Sequence, residues 1–163
     1  MKLIKSYLHR VFIDGLSGMA LGLFSTLIIG TIIQQIGTFA GGAVGNLIFL
    51  VGKMAAAATC AGIGVGVAYK FKESAMVVLS AATAGLVGGY ASQLLAGTVI
   101  SDSGALVLSG PGEPLGAFLA AYVGIELGHL ISGKTKLDII LTPLVTIGAG
   151  SAVGVLAGPP ISS

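Results

Sequence analysis

The sequence predicts an all-α membrane protein, a polytopic bundle of transmembrane helices, and three observations point to that class. Hydrophobic residues make up 55% of the 163-residue chain, and the mean hydropathy is +1.02. Only 9% of the residues are charged, whereas a soluble domain has about 25%. Charges are absent from three long runs, at residues 15–52, 74–101 and 139–163. Because a helix needs about 20 apolar residues to cross the hydrocarbon core, we expect these runs to contain membrane spans.

Residues 1–14 are predicted to form an amphipathic helix that lies on the membrane surface. Its apolar residues recur at helical spacing and are Leu3, Ile4, Tyr7, Leu8, Val11 and Phe12. The opposite side carries Lys2, Lys5, Ser6, His9 and Arg10. A basic polar face beside an apolar face is typical of an interfacial helix.

The whole chain, 1–163, is predicted to be a single transmembrane domain, with about five spans after the interfacial helix. An unbroken helix from the start of the first uncharged run to its end would be about 57 Å long, nearly twice the thickness of the core. We therefore expect a break near Gly37, Gly41 and Gly42. The expected spans are 16–36, 43–67, 75–99, 115–131 and 139–157.

The basic residues predict the orientation of these spans. With the N-terminus in the cytoplasm, that side receives seven of the eight, which are Lys2, Lys5, Arg10, Lys70, Lys72, Lys134 and Lys136. The two opposite loops receive none, and Lys53 lies inside the second span. This bias predicts a cytoplasmic N-terminus and an external C-terminus for the chain.

Glycines recur at the spacing that lets helices approach closely. The pairs four residues apart are Gly18 and Gly22, Gly41 and Gly45, and Gly62 and Gly66. Further small faces contain Gly85, Gly88, Gly89, Gly148 and Gly150. We expect most of these glycines to pack helix against helix, and a minority to lie at broken helices that line a cavity.

Charged residues inside spans are expensive, so each is a candidate functional residue. Lys53 and Glu126 are expected at similar depths, where they could pair, although Lys53 could instead reach the interface as a flexible side chain. Tyr122, Glu126 and His129 are spaced to share one helical face. Imidazole can function in its neutral or its charged form near neutral pH, but His129 could also lie at the membrane interface without a functional role.

The polar segment 102–114 contains another candidate, Glu113. It is expected to be either a re-entrant hairpin that lines a cavity or an ordinary external loop. Four further polar candidates cannot be ranked and are Gln34, Gln35, Asn46 and Gln93. No motif for metal binding, nucleotide binding or hydrolysis occurs, and the one cysteine, Cys60, is expected to be a packing residue. We predict no cofactor, no metal, no catalytic residue and no nucleic-acid partner.

Three stretches of the chain carry a resemblance to a known family. They are the opening DGLSGMALGLFSTLIIGTIIQQIG, the long run SGPGEPLGAFLAAYVGIELGHLISGKTKLDIILTPLVTIGAG and the closing AGPP. The chain resembles the phosphotransferase-system EIIC-like membrane family, which includes perfringolysin-regulator-type proteins of Gram-positive bacteria. It is similar to the N-terminal half of such proteins, which implies one half of an inverted-repeat transporter.

The resemblance implies a permease of the bacterial cell membrane that binds and translocates a small polar solute, a sugar. Phosphoryl transfer would then belong to separate cytoplasmic phosphotransferase-system subunits. Within this reading Glu126 would hydrogen-bond the solute, Lys53 would balance its charge and His129 would tune access, with Glu113 and Tyr122 as further contacts. The chain is expected to contact membrane lipid and to form homo-oligomers. The alternatives are a membrane sensor or regulator without transport activity, and a channel formed by an oligomer.

Overall fold

A computed structural model describes the backbone of residues 1–162 and the side chains of residues 1–157 as a helical bundle. Seven helices are named here in chain order: α1 Lys2–Ala40, α2 Gly42–Ala57, α3 Thr59–Lys70, α4 Ala75–Gly89, α5 Ala91–Leu95, α6 Pro114–Ile131 and α7 Asp138–Ser162. No strand occurs in this described part, where an antiparallel bridge between Ile100 and Leu106 closes the loop that follows α5. The predicted all-α class is confirmed.

The bundle is built around α3, which contacts α1, α4 and α6, while α7 packs against α4 and α6. Fully buried Ile63 and Val67 of α3 meet Val77 of α4 and Ile125 of α6 in the apolar core. The helix bundle has two ends, which are named here after one residue at each. The Arg10 end contains Arg10, the α3–α4 turn and the end of α6, and the Glu113 end contains the end of α4 and the start of α6.

The N-terminal segment differs from the prediction, because α1 is continuous through 39 residues. The predicted separate helix at 1–14 runs directly into the first span, through π-helical turns at Arg10–Gly15 and Phe24–Ile28. Wider π turns keep the helix hydrogen-bonded, so no break is needed. The helix ends at Gly41, whose φ of 67° lies in the region that favours glycine, and Gly37 lies inside it.

The span count also differs from the prediction. Among the described residues, three helices are long and apolar enough to cross a membrane, or four if the pair α2 and α3, bent by 50°, forms one span. The predicted span 75–99 is shortened, because α4 ends at Gly89 after 15 residues. Tyr90 leaves helical geometry at φ −108° and ψ 15°, which turns the chain into α5 and the following loop. Hydropathy marks which residues are apolar, and it does not mark where the backbone bends.

Glycine contacts hold the helices together, as the spacing predicts. A Cβ atom on Gly22 would lie 2.5 Å from the backbone nitrogen of Ile63, and one on Gly88 would lie 2.6 Å from the carbonyl oxygen of Gly116. Two of the glycines that were expected to pack helix against helix do not make such contacts. Gly41 makes the turn between α1 and α2, and Gly148 faces open space.

The end of α1 and all of α2 form a two-helix arm, which we define as Ile29–Ala40 together with Gly42–Ala57. These helices pack mainly against each other. A Cβ atom on Gly37 would lie 2.5 Å from the backbone nitrogen of Phe49, so the two backbones are in close contact. The arm therefore projects from the bundle with most of its outer surface uncovered, as Phe39 at 87% exposure shows.

Candidate functional site

Arg10 links two carboxylates at the Arg10 end of the bundle. Its Nε atom donates to Glu126 Oε1 at 2.9 Å, and its Nη2 atom donates to Glu73 Oε1 at 3.1 Å. The second oxygen of Glu73 lies 2.8 Å from His129 Nδ1. Because an ionised carboxylate only accepts, this bond needs a proton on Nδ1. The four side chains thus form one chain of charge-assisted hydrogen bonds, called here the Arg10 cluster.

Aromatic rings complete the surroundings of the Arg10 cluster. The Arg10 guanidinium lies 4.0 Å from the centre of the Phe71 ring, a cation–π contact. Tyr122 meets Phe71 edge to face, with ring centres 6.1 Å apart, and stacks on Phe118. The predicted common face of Tyr122, Glu126 and His129 is therefore present, and it points at Arg10, Phe71 and Glu73.

Two helices and a turn bring the Arg10 cluster together. Arg10 begins the first π-helical stretch of α1, and Glu126 and His129 lie in the last turns of α6. Glu73 lies in the tight turn after α3, where its amide donates to the Ala68 carbonyl and the preceding Lys72 has a φ of 57°. Its side chain is only 3% exposed. The cluster therefore clamps the start of α1 to the bundle.

A cavity of about 270 Å³ opens beside the Arg10 cluster. It is lined by Ser6, Tyr7, Arg10, Glu126, His129 and Leu130. The His129 side chain is 61% exposed and the Glu126 side chain is 25% exposed, so both reach this space. The cavity offers hydrogen-bonding groups, but the main charges around it already have partners.

The opposite end of the bundle is closed by the loop that leads into α6. The amide of Gln93 donates to the Ser109 carbonyl at 2.8 Å, and its oxygen accepts from the Ser109 amide at 3.2 Å. The Tyr90 hydroxyl donates to the Gly110 carbonyl, and the thiol of buried Cys60 donates to the Pro111 carbonyl at 3.1 Å. These bonds fix the loop's backbone on the Glu113 end.

Gly112 lies where the loop meets the bundle, and two features of that position require glycine. Its φ of 80° falls in the region that side chains disfavour. A Cβ atom there would also lie 2.5 Å from Cys60 Sγ. Cys60 itself is fully buried, as expected for a packing residue.

Glu113 follows this contact and lines a second cavity, also of about 270 Å³. The other lining residues are Gly89, Ser92, Gln93, Ser109, Pro111 and Gly112. The Glu113 amide donates to the Gly89 carbonyl at 2.7 Å, which fixes the backbone. Its half-buried carboxylate has no hydrogen-bond or ion-pair partner among residues 1–157. The Glu113 cavity therefore pairs an available carboxylate with an otherwise neutral polar wall.

Lys53 lies in the arm and is exposed, without an ion-pair partner in the described part of the chain. The expected pairing of Lys53 with Glu126 is wrong, since Glu126 bonds to Arg10. The reason is the direction of the helices. Lys53 lies on α2, beyond the Glu113 end, whereas Glu126 lies near the Arg10 end of α6.

Sequence reasoning missed Arg10 and Glu73 as members of the cluster. The sequence places Arg10 on the polar side of an interfacial helix, and Glu73 directly follows Lys72 in a polar segment that is typical of solvent exposure. No local signal identifies their pairing, because Arg10 is 63 residues from Glu73 and 116 from Glu126. Within the described residues, no group of three or more His, Cys, Asp and Glu side chains is placed to hold a metal ion.

Comparison with known protein families gives one match. The family model described as "Phosphotransferase system, EIIC" matches residues 13–163, which is most of the chain. No curated protein and no solved structure matches the chain significantly.

Proposed function

Since the chain belongs to the phosphotransferase-system EIIC family, a family of membrane permease components, we propose that it binds and translocates a small polar solute, a sugar. Separate cytoplasmic subunits of the phosphotransferase system would carry out the phosphoryl transfer. The apolar helices agree with a membrane location.

The observation that carries this proposal is the Glu113 cavity. A carboxylate accepts strong hydrogen bonds from sugar hydroxyls, and the carboxylate of Glu113 has no competing partner among residues 1–157. Gly89 and Gly112 have no side chains, so they leave room for a ligand beside the Glu113 carboxylate. A pre-formed concave site with a few polar groups is what small-molecule binding requires.

The Arg10 cluster supports a different role for the other candidates. Glu126 and His129 already bond to Arg10 and Glu73, so using them for a solute would require breaking these bonds. We propose that they hold the Arg10 end closed around Tyr122, and that opening this end requires these bonds to break. Direct contact of Glu126, His129, Tyr122 or Lys53 with the solute stays a prediction, which unchanged binding in their single variants would contradict.

The proposed site is tested by thermal unfolding of the purified protein against a panel of sugars. A ligand that binds only the folded state raises its stability with concentration. Losing a charge-assisted hydrogen bond costs about 1.5–3 kcal/mol, so Glu113→Gln should weaken binding roughly tenfold or more. Asp102→Asn is the matched control, because Asp102 is an exposed carboxylate of the same loop that does not line the cavity. Equal affinity in wild type and Glu113→Gln would exclude Glu113 from the site.

One observation favours a second candidate function, a membrane sensor that binds a solute without moving it. The two cavities lie at opposite ends of the bundle, and the fully buried side chains of Ile63, Val67 and Ile125 fill the space between them. A sensor would use the Glu113 cavity in the same way. Saturable binding without any accumulation of solute in vesicles would favour it over the permease.

We propose that the Arg10 end faces the cytoplasm of a bacterial cell in a multi-pass arrangement. The support is the distribution of Lys and Arg, because Lys70 ends α3 at this end and Lys72, Lys134 and Lys136 lie in the turns that follow α3 and α6. Thr135→Cys, in an exposed turn, should then react with a membrane-impermeant maleimide only after the cells are permeabilised. Labelling of intact cells would reverse the orientation.

A further inference from the structure

A third cavity, of about 460 Å³, lies between the end of α3 and the start of α4 and is called here the lysine cavity. Its lining residues are Tyr69, Lys70, Lys72, Glu73 and Val78. Apart from Glu73, none of them belongs to the Arg10 cluster, and none lines the cavity beside that cluster. The lysine cavity is therefore a separate space at the Arg10 end.

The charges of the lysine cavity are not balanced. The ammonium groups of Lys70 and Lys72 have no ion-pair or hydrogen-bond partner among residues 1–157. Glu73 is the one carboxylate in the lining, and its two oxygens accept from Arg10 and His129. Its side chain is only 3% exposed, so it does not offset the lysines. The cavity therefore presents two ammonium groups, which favour an anionic ligand.

The backbone of Lys72 is strained, which gives a second reason to assign it a function. The turn after α3 has the two hydrogen bonds of a Schellman motif, from the Glu73 amide to the Ala68 carbonyl at 3.1 Å and from the Lys72 amide to the Tyr69 carbonyl at 3.0 Å. Lys72 occupies the position that is usually glycine, with a φ of 57°. Strain of this kind persists where the side chain has a role, and here the side chain lines the cavity.

The surroundings of the lysine cavity are apolar on the side of α4. The apolar residues recur at helical spacing along one side of that helix, where all are at least partly exposed, and they are Val78, Leu79, Ala82 and Leu86. Tyr69, at the end of α3, is 68% exposed, and tyrosine is enriched at the boundary between lipid and water. A ligand at this place meets cations at one end and apolar side chains at the other.

We propose that the lysine cavity binds the headgroup of an anionic phospholipid. Lys70 and Lys72 contact the phosphate, and an acyl chain lies along the apolar side of α4. A soluble phosphate would use the two ammonium groups and leave the apolar side without a role, so the lipid accounts for both halves of the site. This inference goes beyond the proposed function. It rests on the membrane location and not on transport or on the Glu113 cavity, so the two proposals can fail separately.

Quenching of a single tryptophan by brominated lipids tests the proposal. The chain contains no tryptophan, so Tyr69→Trp places one fluorophore on the lysine cavity. The protein is placed in phosphatidylcholine vesicles that contain increasing fractions of brominated phosphatidylglycerol or of brominated phosphatidylcholine. A lysine near an anionic headgroup contributes about fivefold in affinity, so two should favour phosphatidylglycerol by at least about tenfold. Equal quenching by the two lipids would overturn the proposal, and this comparison needs no lysine variant.

Two pairs of substitutions in the Tyr69→Trp protein locate the effect. Lys70→Gln with Lys72→Gln should remove the preference for phosphatidylglycerol, and glutamine has the same backbone requirement as lysine at position 72. Lys134→Gln with Lys136→Gln is the matched control, because it removes the same charge from an exposed turn at the same end that does not line the cavity. This pair should retain the preference. An equal loss in both pairs would show a diffuse basic surface and overturn the proposal.

A soluble competitor separates the lipid from a free phosphate. Glycerol phosphate carries the same anionic group without acyl chains, and it should leave quenching by brominated phosphatidylglycerol unchanged at millimolar concentration. Sodium chloride at the same ionic strength is the control for screening. Displacement of the brominated lipid by glycerol phosphate, beyond the effect of the salt, would assign the lysine cavity to a soluble anion and overturn the lipid proposal.

Discussion

Arg10 illustrates at the residue scale how a charge becomes part of the fold. Its guanidinium faces two carboxylates and one aromatic ring, and the more deeply placed carboxylate, Glu73, is 3% exposed. Guanidinium suits this position because its fork can serve both carboxylates while its flat face lies on Phe71. Without it, Glu73 would remain buried with only His129 as partner.

Arg10→Met should therefore destabilise the folded protein. Removing one partner from a fully buried ion pair costs about 3–5 kcal/mol, and the partial exposure of Arg10 reduces the expected loss to about 2 kcal/mol. Denaturant unfolding in detergent measures the change. Lys5→Met, an exposed charge on the same helix, should change stability by less than about 0.5 kcal/mol. Equal effects of the two variants would mean that the Arg10 cluster does not hold α1.

Gly112→Ala should loosen the loop that forms the Glu113 cavity. The substitution combines an unfavourable φ with a clash against Cys60 Sγ, for an expected loss of about 2–4 kcal/mol. Gly104→Ala separates the two effects, because Gly104 has a similar φ of 81° but nothing within 4 Å of its added Cβ atom. Thermal unfolding of both variants should show a clearly larger loss for Gly112→Ala. Equal losses of stability would show that the contact with Cys60 does not contribute to the effect of Gly112→Ala.

Some of the candidate site follows from sequence, and some does not. Tyr122, Glu126 and His129 were predicted to share a face because helical spacing alone determines which residues lie together on α6. Glu113 was found because a carboxylate beside glycine and proline stands out in an apolar chain. Arg10 and Glu73 were missed because their partners are set by tertiary packing across the bundle.

At the scale of elements, glycine determines how closely the helices pack. The crossing of α1 and α3 depends on Gly18 and Gly22, which face Gly66 and Gly62 with their backbones in direct contact. This arrangement was predictable from a spacing of four residues. The bend at Ala58 and the early end of α4 were not predictable, since no proline or charge marks either position.

Gly22→Ala should separate α1 from α3. The added Cβ atom would lie 2.5 Å from backbone atoms that cannot move as a side chain does, and such overpacking costs about 1–3 kcal/mol. Gly148→Ala is the matched control in a helix with open space, where alanine should stabilise by up to about 1 kcal/mol. The two free energies of unfolding should therefore change with opposite signs. A stabilising effect of Gly22→Ala would contradict the packing described here.

At the scale of the whole molecule, the two ends and the arm have different chemistry. The Arg10 cluster pairs its charges internally, the Glu113 end leaves a carboxylate available, and the arm leaves amides available. A hydropathy pattern predicts that these helices lie in a membrane, and the family match agrees. The hydropathy pattern could not predict that the end of α1 would project from the bundle together with α2, because both helices look like ordinary spans in sequence.

The most direct test of the permease function is uptake of a binding sugar by membrane vesicles that contain this chain and the cytoplasmic phosphotransferase subunits. We predict saturable accumulation of the phosphorylated sugar that requires a phosphoryl donor, is lost or weakened at least tenfold by Glu113→Gln and is retained by Asp102→Asn. Binding of the sugar without any accumulation, in vesicles whose other phosphotransferase activity is intact, would contradict the permease function and support the sensor.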